Sequence, residues 1–356
     1  MNTVKLRLRL GQANIGFWLL LSISIILFKK EIEMHFIDIS AVSIICVFIF
    51  LSIFLQLPFD IYGAKRLYSH GQKNRKWLAQ WFRGIIALSA CWGMLSFLIF
   101  LIQPRLGFCM PVLITMILIF QMHEKLIIFI NGDKYNHFDV RNFKGQSLLL
   151  NCSENTFTGG VVYGFFKKTQ IIPESWSSSP YLKIECFRRS LIIKNKFVIR
   201  SFVFLTFWNL LGVLLGEMQG LYYSENIGIS IIYLSCWMTI WSFLALILMP
   251  RLSHSTVYAI DYLANKYDSV RLKKWIKKFA ELIDENGDKS KLVQSVFYPI
   301  PTVENRINSL KTSPSYCFGN ISRQNLFLSW GVFNLSCRSV HCNIGRPVLW
   351  AFPPSA

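Results

Sequence analysis

The sequence predicts a mainly α-helical, polytopic membrane protein with about six transmembrane helices and a small cytoplasmic α+β insert. Three observations predict this class. Hydrophobic residues make up 53% of the 356 residues and the mean hydropathy is +0.39, which is more apolar than an ordinary soluble domain. The apolar residues are gathered in blocks of membrane-spanning length. The basic residues behind the net charge of +19 are concentrated in alternate connections between those blocks.

Six apolar blocks approach or reach the roughly 20 residues that a helix needs to cross a bilayer. They cover residues 11–28, 41–57, 84–102, 107–121, 199–216 and 228–249. The fourth block is marginal, and it either continues through His123-Glu124-Lys125 to Ile130 or forms a re-entrant or buried helix. The first block ends in Phe28-Lys29-Lys30 without a small-residue cleavage site, so we expect a retained anchor rather than a signal peptide.

The blocks divide the chain into four regions. These are a membrane region of about four spans (1–130), the insert (131–198), a two-span hairpin (199–249) and a soluble tail (250–356). The insert carries ten Lys and Arg against five Asp and Glu. The positive-inside rule therefore places the insert and both termini in the cytoplasm, at an inner or cytoplasmic membrane. Because the charge follows the membrane, it indicates the lipid bilayer as a partner and not a nucleic acid.

Apolar periodicity and turn residues predict the elements of the insert and the tail. In the insert we expect strands at Ser147–Cys152 and Thr169–Ile172, a glycine-ended turn at Asn155–Gly160 and a helix at Tyr181–Asn195. After Met249-Pro250 the pattern predicts two helices, at Ser255–Lys266 and Val270–Glu285, the second of them amphipathic and basic.

The nine cysteines show no paired spacing and fall mostly in membrane or cytoplasmic segments, so we expect reduced thiols. Cys337, His341 and Cys342 form a pattern of metal-ligand types, but no fourth ligand lies nearby and the adjacent His and Cys point in different directions. This is a weak hypothesis for a metal site. The run of residues 340–347 is predicted as a constrained loop, because Gly345 and Pro347 bracket an arginine.

Three motifs occur in order along the chain. The first is Asn155-Thr156-Phe157-Thr158-Gly159-Gly160, the second is Ser253–Asp261, and the third is residues 298–307, which include Arg306. They resemble the Asn-Ala-Phe-x-x-Gly, Ser-Arg-x-x-Glu-x-x-Ala-Asp and His-Pro-Pro-x-x-x-x-Arg-Ile elements of membrane zinc metallopeptidases of the HtpX and CAAX-prenyl-endopeptidase type. The resemblance covers about residues 80–310. It implies that Asn155, Phe157, Gly159, Gly160, Asp261 and Arg306 belong to a peptidase scaffold with a peptide-binding cleft.

The resemblance also implies a zinc site, and the sequence departs from the family there. No His-Glu-x-x-His occurs in the chain, and its positions are taken by Arg188, Arg189 and Ile192. Val257 stands at the position of the third ligand, a glutamate, and Tyr298 at that of the histidine in the closing motif. A guanidinium has no lone pair for a metal, and its charge repels one. We therefore expect no zinc at this site and no metallopeptidase chemistry.

Each of these charged residues also has a simpler interpretation. Arg188 and Arg189 precede a span, where basic residues contact lipid headgroups, although they could also bind an anionic ligand. Glu185 is expected to pair with Arg188 or Arg189 at helical spacing, and a general-base role is the alternative. Asp261 is either a packing or capping residue or the remnant of a site.

Polar groups within the spans have structural explanations too. His123-Glu124-Lys125-Leu126-Ile127 begins like a zinc motif but ends in isoleucine, so it is expected only to mark the cytoplasmic end of a span. Trp208, Asn209 and the tryptophans of residues 237–241 are expected to form aromatic belts and hydrogen bonds between helices.

Three functional hypotheses follow. The first is a non-catalytic relative of the metallopeptidases that binds a peptide, a lipid or a membrane-protein partner. The second is an active membrane hydrolase whose site has moved or uses no metal. The third treats the resemblance as accidental and the chain as a membrane structural or assembly factor.

Overall fold

The three-dimensional structure is a computed structural model. It describes residues 3–67, 74–132, 135–138, 146–150, 157–163, 168–282, 298, 300–312, 334–339 and 343–351. The Asn155 position, the His341-Cys342 pair and the expected helix end near Glu285 lie outside these described residues.

Six helices are long and apolar enough to cross a membrane, which makes the chain a multi-pass membrane protein by length and composition. They are α1 (Thr3–Leu27), α3 (Ala41–Leu67), α4 (Asn74–Leu106), α5 (Cys109–Asn131), α7 (Phe197–Met218) and α8 (Ile227–Asn265). The six predicted blocks fall in these six helices. The marginal fourth block is part of a full 23-residue helix that continues past His123, rather than a short re-entrant one.

The four other α-helices in the described part are shorter. They are α2 (Lys29–Phe36), α6 (Leu182–Lys194), α9 (Ser269–Leu282) and α10 (Val303–Ser309). The helices predicted from Tyr181 and from Val270 are confirmed as α6 and α9. As expected for an amphipathic helix, α9 buries an apolar face that includes Leu272 and Phe279.

Helix α8 differs from the sequence prediction. A break was expected at Met249-Pro250, whereas the helix continues for 39 residues from Ile227 to Asn265. Proline lacks one amide hydrogen-bond donor, but a helix whose neighbours pack around it tolerates that loss. The predicted helix from Ser255 to Lys266 is therefore the last part of α8.

Helices α7 and α8 contact each other through glycines and tryptophans. The indole of Trp237 donates to the carbonyl of Gly212 at 2.7 Å, and that of Trp241 donates to the carbonyl of Trp208 at 2.9 Å. Asn209 Nδ2 contacts the sulfur of Met116 at 3.5 Å. The predicted hydrogen bonds between spans are thus present at these residues.

The insert contains a four-stranded sheet. Its strands are β1 (Tyr135–Phe138), β2 (Gln146–Leu150), β3 (Gly160–Tyr163) and β4 (Lys168–Pro173), in the order β1-β2-β4-β3. β2 and β4, the two predicted strands, pair in parallel, while β1 and β3 pair antiparallel with them. Sequence analysis missed β1 and β3 because four residues are too few to establish an alternating pattern.

The chain forms two compact units, each built from discontinuous segments. The first unit contains residues 1–120, 205–244 and 326–351. The second unit contains residues 121–204, 245–325 and 352–356. The predicted soluble tail is therefore divided between the units, because its last described residues pack on spans of the first.

Candidate functional site

Three charged side chains of α6 lie in the interior of the second unit. Glu185, Arg188 and Arg189 are each at most 2% exposed. Arg188 Nη1 donates to Glu185 Oε2 at 2.8 Å, and Arg189 Nε donates to Glu185 Oε1 at 2.9 Å. The helix places both arginines beside Glu185 because residues three and four apart share a face, so the predicted pairing is confirmed. The expected contact of these arginines with lipid headgroups does not fit their burial.

Asp261 on α8 joins this cluster and is fully buried. Its Oδ1 accepts from Arg188 Nε at 3.0 Å. Arg306 on α10 donates through Nε to Asp261 Oδ2 at 2.7 Å and through Nη2 to Oδ1 at 3.1 Å. Such a two-pronged guanidinium–carboxylate pair combines charge with fixed geometry. Asp261 therefore links α6, α8 and α10.

Arg189 connects the helix to the sheet. Its Nη1 donates to the carbonyl of Ile171 at 2.6 Å and its Nη2 to the carbonyl of Thr158 at 2.5 Å. The guanidinium also lies 5.6 Å from the ring centre of Trp176. Between these carbonyls Gly159 adopts a φ of +66°, and a side chain there would collide with the Ile171 carbonyl oxygen. Only glycine fits this turn, and the hydrogen bonds of Arg189 to Thr158 and Ile171 hold the turn against β4.

Trp275 completes the cluster, and sequence analysis missed its role. Its indole on α9 donates to Glu185 Oε2 at 2.7 Å, and its ring packs edge-on against Trp176 at 5.0 Å. In the sequence it is one apolar residue in an amphipathic stripe. The sequence contained one signal for this role, because the N–H group of a buried tryptophan needs a hydrogen-bond acceptor.

We call Glu185, Arg188, Arg189, Asp261 and Arg306 the ion network. Burial by itself would raise the pKa of Asp261, but Arg306 and Arg188 outweigh burial and hold that pKa below its ordinary value. Burial would also raise the pKa of Glu185, but Arg188 and Arg189 outweigh burial and lower that pKa below its ordinary value. Both carboxylates are therefore ionised at neutral pH and occupied by donors, which argues against Glu185 as a general base.

The other aligned positions surround the network. Ile192 lies one turn after Arg188 and Val257 one turn before Asp261, and both are buried. The resemblance requires positions 188, 192 and 257 to share one region, and this stays a prediction.

The remaining scaffold positions that the structure describes are also buried. Phe157 precedes the Gly159 turn, and Gly160 pairs with Ile171 at the start of β3. The carbonyl of Tyr298 accepts from His254 Nε2 at 2.7 Å, so this residue contributes its backbone to the fold.

The residues at the aligned positions do not fit a zinc ion. Ile192 and Val257 have no donor atoms, and Arg188 and Arg189 are cations whose N–H groups already bind carboxylates and carbonyls. Within the described ranges, no group of three His, Cys, Asp or Glu side chains has a metal-binding arrangement. The run His123–Ile127 of α5, which begins like a zinc motif, contains Glu124. This residue accepts a hydrogen bond from Thr169 Oγ1 at 2.6 Å and so connects α5 to β4.

The three sequence motifs meet at the ion network. Thr158 of the first motif supplies a carbonyl, Asp261 of the second supplies a carboxylate, and Arg306 of the third supplies a guanidinium. In comparisons with known proteins, no family model, curated protein or solved structure matches this chain. The site is a buried, hydrogen-bonded set of charges that joins three helices to a sheet.

Proposed function

We propose that this chain is a non-catalytic membrane protein with a metallopeptidase-like cytoplasmic domain, which acts by binding a peptide or an exposed segment of a membrane-protein partner. The observation that carries the proposal is the ion network, in which Arg188 and Arg189 stand at the aligned positions of the first zinc ligand and the catalytic base. Its two carboxylates each accept several hydrogen bonds from arginine, so it stabilises a scaffold and offers no free carboxylate for hydrolysis. The protein resides in an inner or cytoplasmic membrane, with both termini in the cytoplasm.

The sheet supports the peptide-binding part of the proposal. β3 lies at the edge of the sheet and, among the described strands, pairs only with β4. An edge strand has backbone N–H and C=O groups to which an extended peptide can add as a further strand, although Val161 and Val162 of β3 are at most 3% exposed. Arg189 fixes the turn that leads into β3, so this edge is held in place before a peptide arrives.

Metal analysis tests the absence of catalysis. Detergent-purified protein is incubated with zinc, washed with or without a chelator, and assayed for bound zinc and for hydrolysis of a peptide library. The unmodified protein should retain no stoichiometric zinc and cleave nothing. The variant Arg188→His, Arg189→Glu, Ile192→His and Val257→Glu should bind about one zinc per chain, because it rebuilds three ligands and a base. Stoichiometric zinc with chelator-sensitive cleavage by the unmodified protein would show an active hydrolase instead.

A second measurement tests binding. An array of extended peptides is probed with the purified protein in the presence of chelator. Arg189→Lys should weaken binding, because lysine cannot bridge the carbonyls of Thr158 and Ile171. Arg271→Lys is the matched control, since Arg271 is 59% exposed and pairs only loosely with Asp268 at 3.5 Å. The binding proposal fails if no peptide is retained or if both variants bind like the unmodified protein.

A further inference from the structure

Residues 334–351 of the first unit contain no α-helix or strand in their described parts, and yet they are buried against the spans. The amide of Leu335 donates to Thr239 Oγ1 at 3.0 Å, and Thr239 lies near the middle of the span Ile227–Met249. Arg338 Nη1 donates to Asp60 Oδ2 on α3 at 3.0 Å. This segment therefore reaches the depth of the membrane interior.

Irregular backbone is tolerated at that depth only where protein surrounds it or where it lines a cavity. Here a cavity of about 80 Å³ lies between the segment and the two helices α3 and α4. Phe48 and Ile53 of α3, Leu88 and Trp92 of α4, and Asn334 and Arg338 of the segment are among its walls. The helix residues come from the central parts of their spans, so the cavity lies near the middle of the membrane.

One polar group of this cavity wall lacks a partner. Asn334 is 5% exposed, and its Oδ1 accepts from the Ser336 amide at 2.7 Å and from Ser336 Oγ at 2.6 Å. Its Nδ2 is buried and has no hydrogen-bond acceptor within the described part of the chain. A buried N–H group without an acceptor is unfavourable, so it favours a ligand that brings one.

The charges of the wall indicate a neutral ligand. Arg338 is paired with Asp60, and its guanidinium lies 5.0 Å from the ring centre of Trp350. No net charge is therefore left to attract an anion, and a charged group is costly at this depth. Phe48 and Trp92, whose ring centres are 5.4 Å apart, offer an apolar aromatic wall.

We propose that this cavity binds a neutral membrane lipid whose uncharged carbonyl accepts a hydrogen bond from Asn334 Nδ2. Glycerides, such as diacylglycerol, and membrane-soluble quinones carry such a carbonyl without a charged headgroup to hold it at the membrane surface. The inference is independent of the peptide-binding proposal, because it concerns a different unit of the chain.

The test uses full-length protein in phosphatidylcholine nanodiscs that contain a diacylglycerol with a photoactivatable diazirine in its acyl chain. Crosslinking should be saturable and should map to α3, α4 or residues 334–338. Excess unlabelled diacylglycerol, quinone or both should displace the probe and so identify the source of the carbonyl, while additional phosphatidylcholine should not displace it.

Three variants make the test specific. Asn334→Leu should weaken probe binding about 3- to 10-fold, the effect of one hydrogen bond. Ser52→Phe, at the cavity wall, should abolish saturable labelling, whereas its neighbour Leu51→Phe should not, since Leu51 is 47% exposed and absent from the wall. Unsaturable labelling in the unmodified protein overturns the proposal without reliance on any variant. Equal binding by the unmodified, Asn334→Leu and Ser52→Phe proteins also overturns it.

Discussion

At the scale of single residues, Asp261 is the carboxylate that compensates two buried guanidinium groups. It accepts hydrogen bonds from Arg188 and Arg306, and all three side chains are at most 2% exposed. A buried pair of this kind is not in itself a large source of stability, because desolvation offsets the attraction. Removal of one partner is nevertheless costly, since the remaining charge stays in the interior. The network therefore makes the second unit sensitive to its individual members.

Asp261→Ala should destabilise the protein by about 3–5 kcal/mol, because it leaves Arg188 and Arg306 without their shared carboxylate. The matched control is Glu281→Ala, which breaks an exposed pair with Lys278 and should cost less than about 1 kcal/mol. Thermal unfolding in detergent measures both. Similar small effects for the two variants would contradict a structural role for the ion network.

The ion network also predicts a pH dependence. The pKa values of Asp261 and Glu185 are held below their ordinary values of 3.8 and 4.5. Their contribution to stability is fully present above those ordinary values and is lost as the pH falls through the lower, folded-state values. The midpoint of thermal unfolding, measured from neutral pH down to about pH 3, should fall in the acid range. Asp261→Asn should flatten this fall, and an unchanged slope would show that other carboxyl groups dominate it.

At the scale of elements, two glycines of α4 have different surroundings. A side-chain carbon at Gly84 would meet the Trp350 ring at 2.6 Å, whereas one at Gly93 would meet nothing within 4 Å. The first glycine thus permits close docking of the 334–351 segment on α4. The indole of Trp77 on the same helix reinforces this contact by donating to the Gly345 carbonyl at 2.8 Å.

Gly84→Ala should therefore loosen the 334–351 segment, with a cost of about 1–3 kcal/mol for the overpacked contact. Gly93→Ala on the same helix should be neutral or stabilise by up to about 1 kcal/mol, because alanine favours the helix and has room. Unfolding midpoints in detergent and the protease sensitivity of the segment report the difference. Equal behaviour of the two variants would mean that the segment does not depend on this docking.

At the scale of the whole molecule, six spans require the chain to start and finish its membrane crossings on the same side. The concentration of basic residues in the insert predicts that this side is the cytoplasm. This orientation stays a prediction, because length and apolar composition are the same for either direction of insertion.

Single cysteines at Ser69, Ser153 and Ser224, in a background from which the nine native cysteines are removed, test the orientation. An impermeant thiol reagent applied to intact cells should label position 224 and spare positions 69 and 153, which should react only after permeabilisation. External labelling at 69 or 153 would overturn the six-span arrangement with a cytoplasmic insert.

The features that depend on neighbouring residues could be predicted from the sequence. The apolar blocks predicted the six spans, because the preference of a helix for lipid sums over its own side chains. The pairing of Glu185 with Arg188 and Arg189 followed from helical spacing. Local residue types likewise predicted the glycine-ended turn before β3, where Gly159 has a positive φ.

Contacts between groups that are distant in sequence became visible in the folded chain alone. Nothing local showed that Arg306 and Arg188 share Asp261, or that Arg189 reaches the carbonyls of Thr158 and Ile171. The placement of residues 334–351 among the spans was not predicted either, since they contain no apolar run of membrane-spanning length. A buried charge or irregular segment is stable only with its partners in place, and those partners lie far away in sequence.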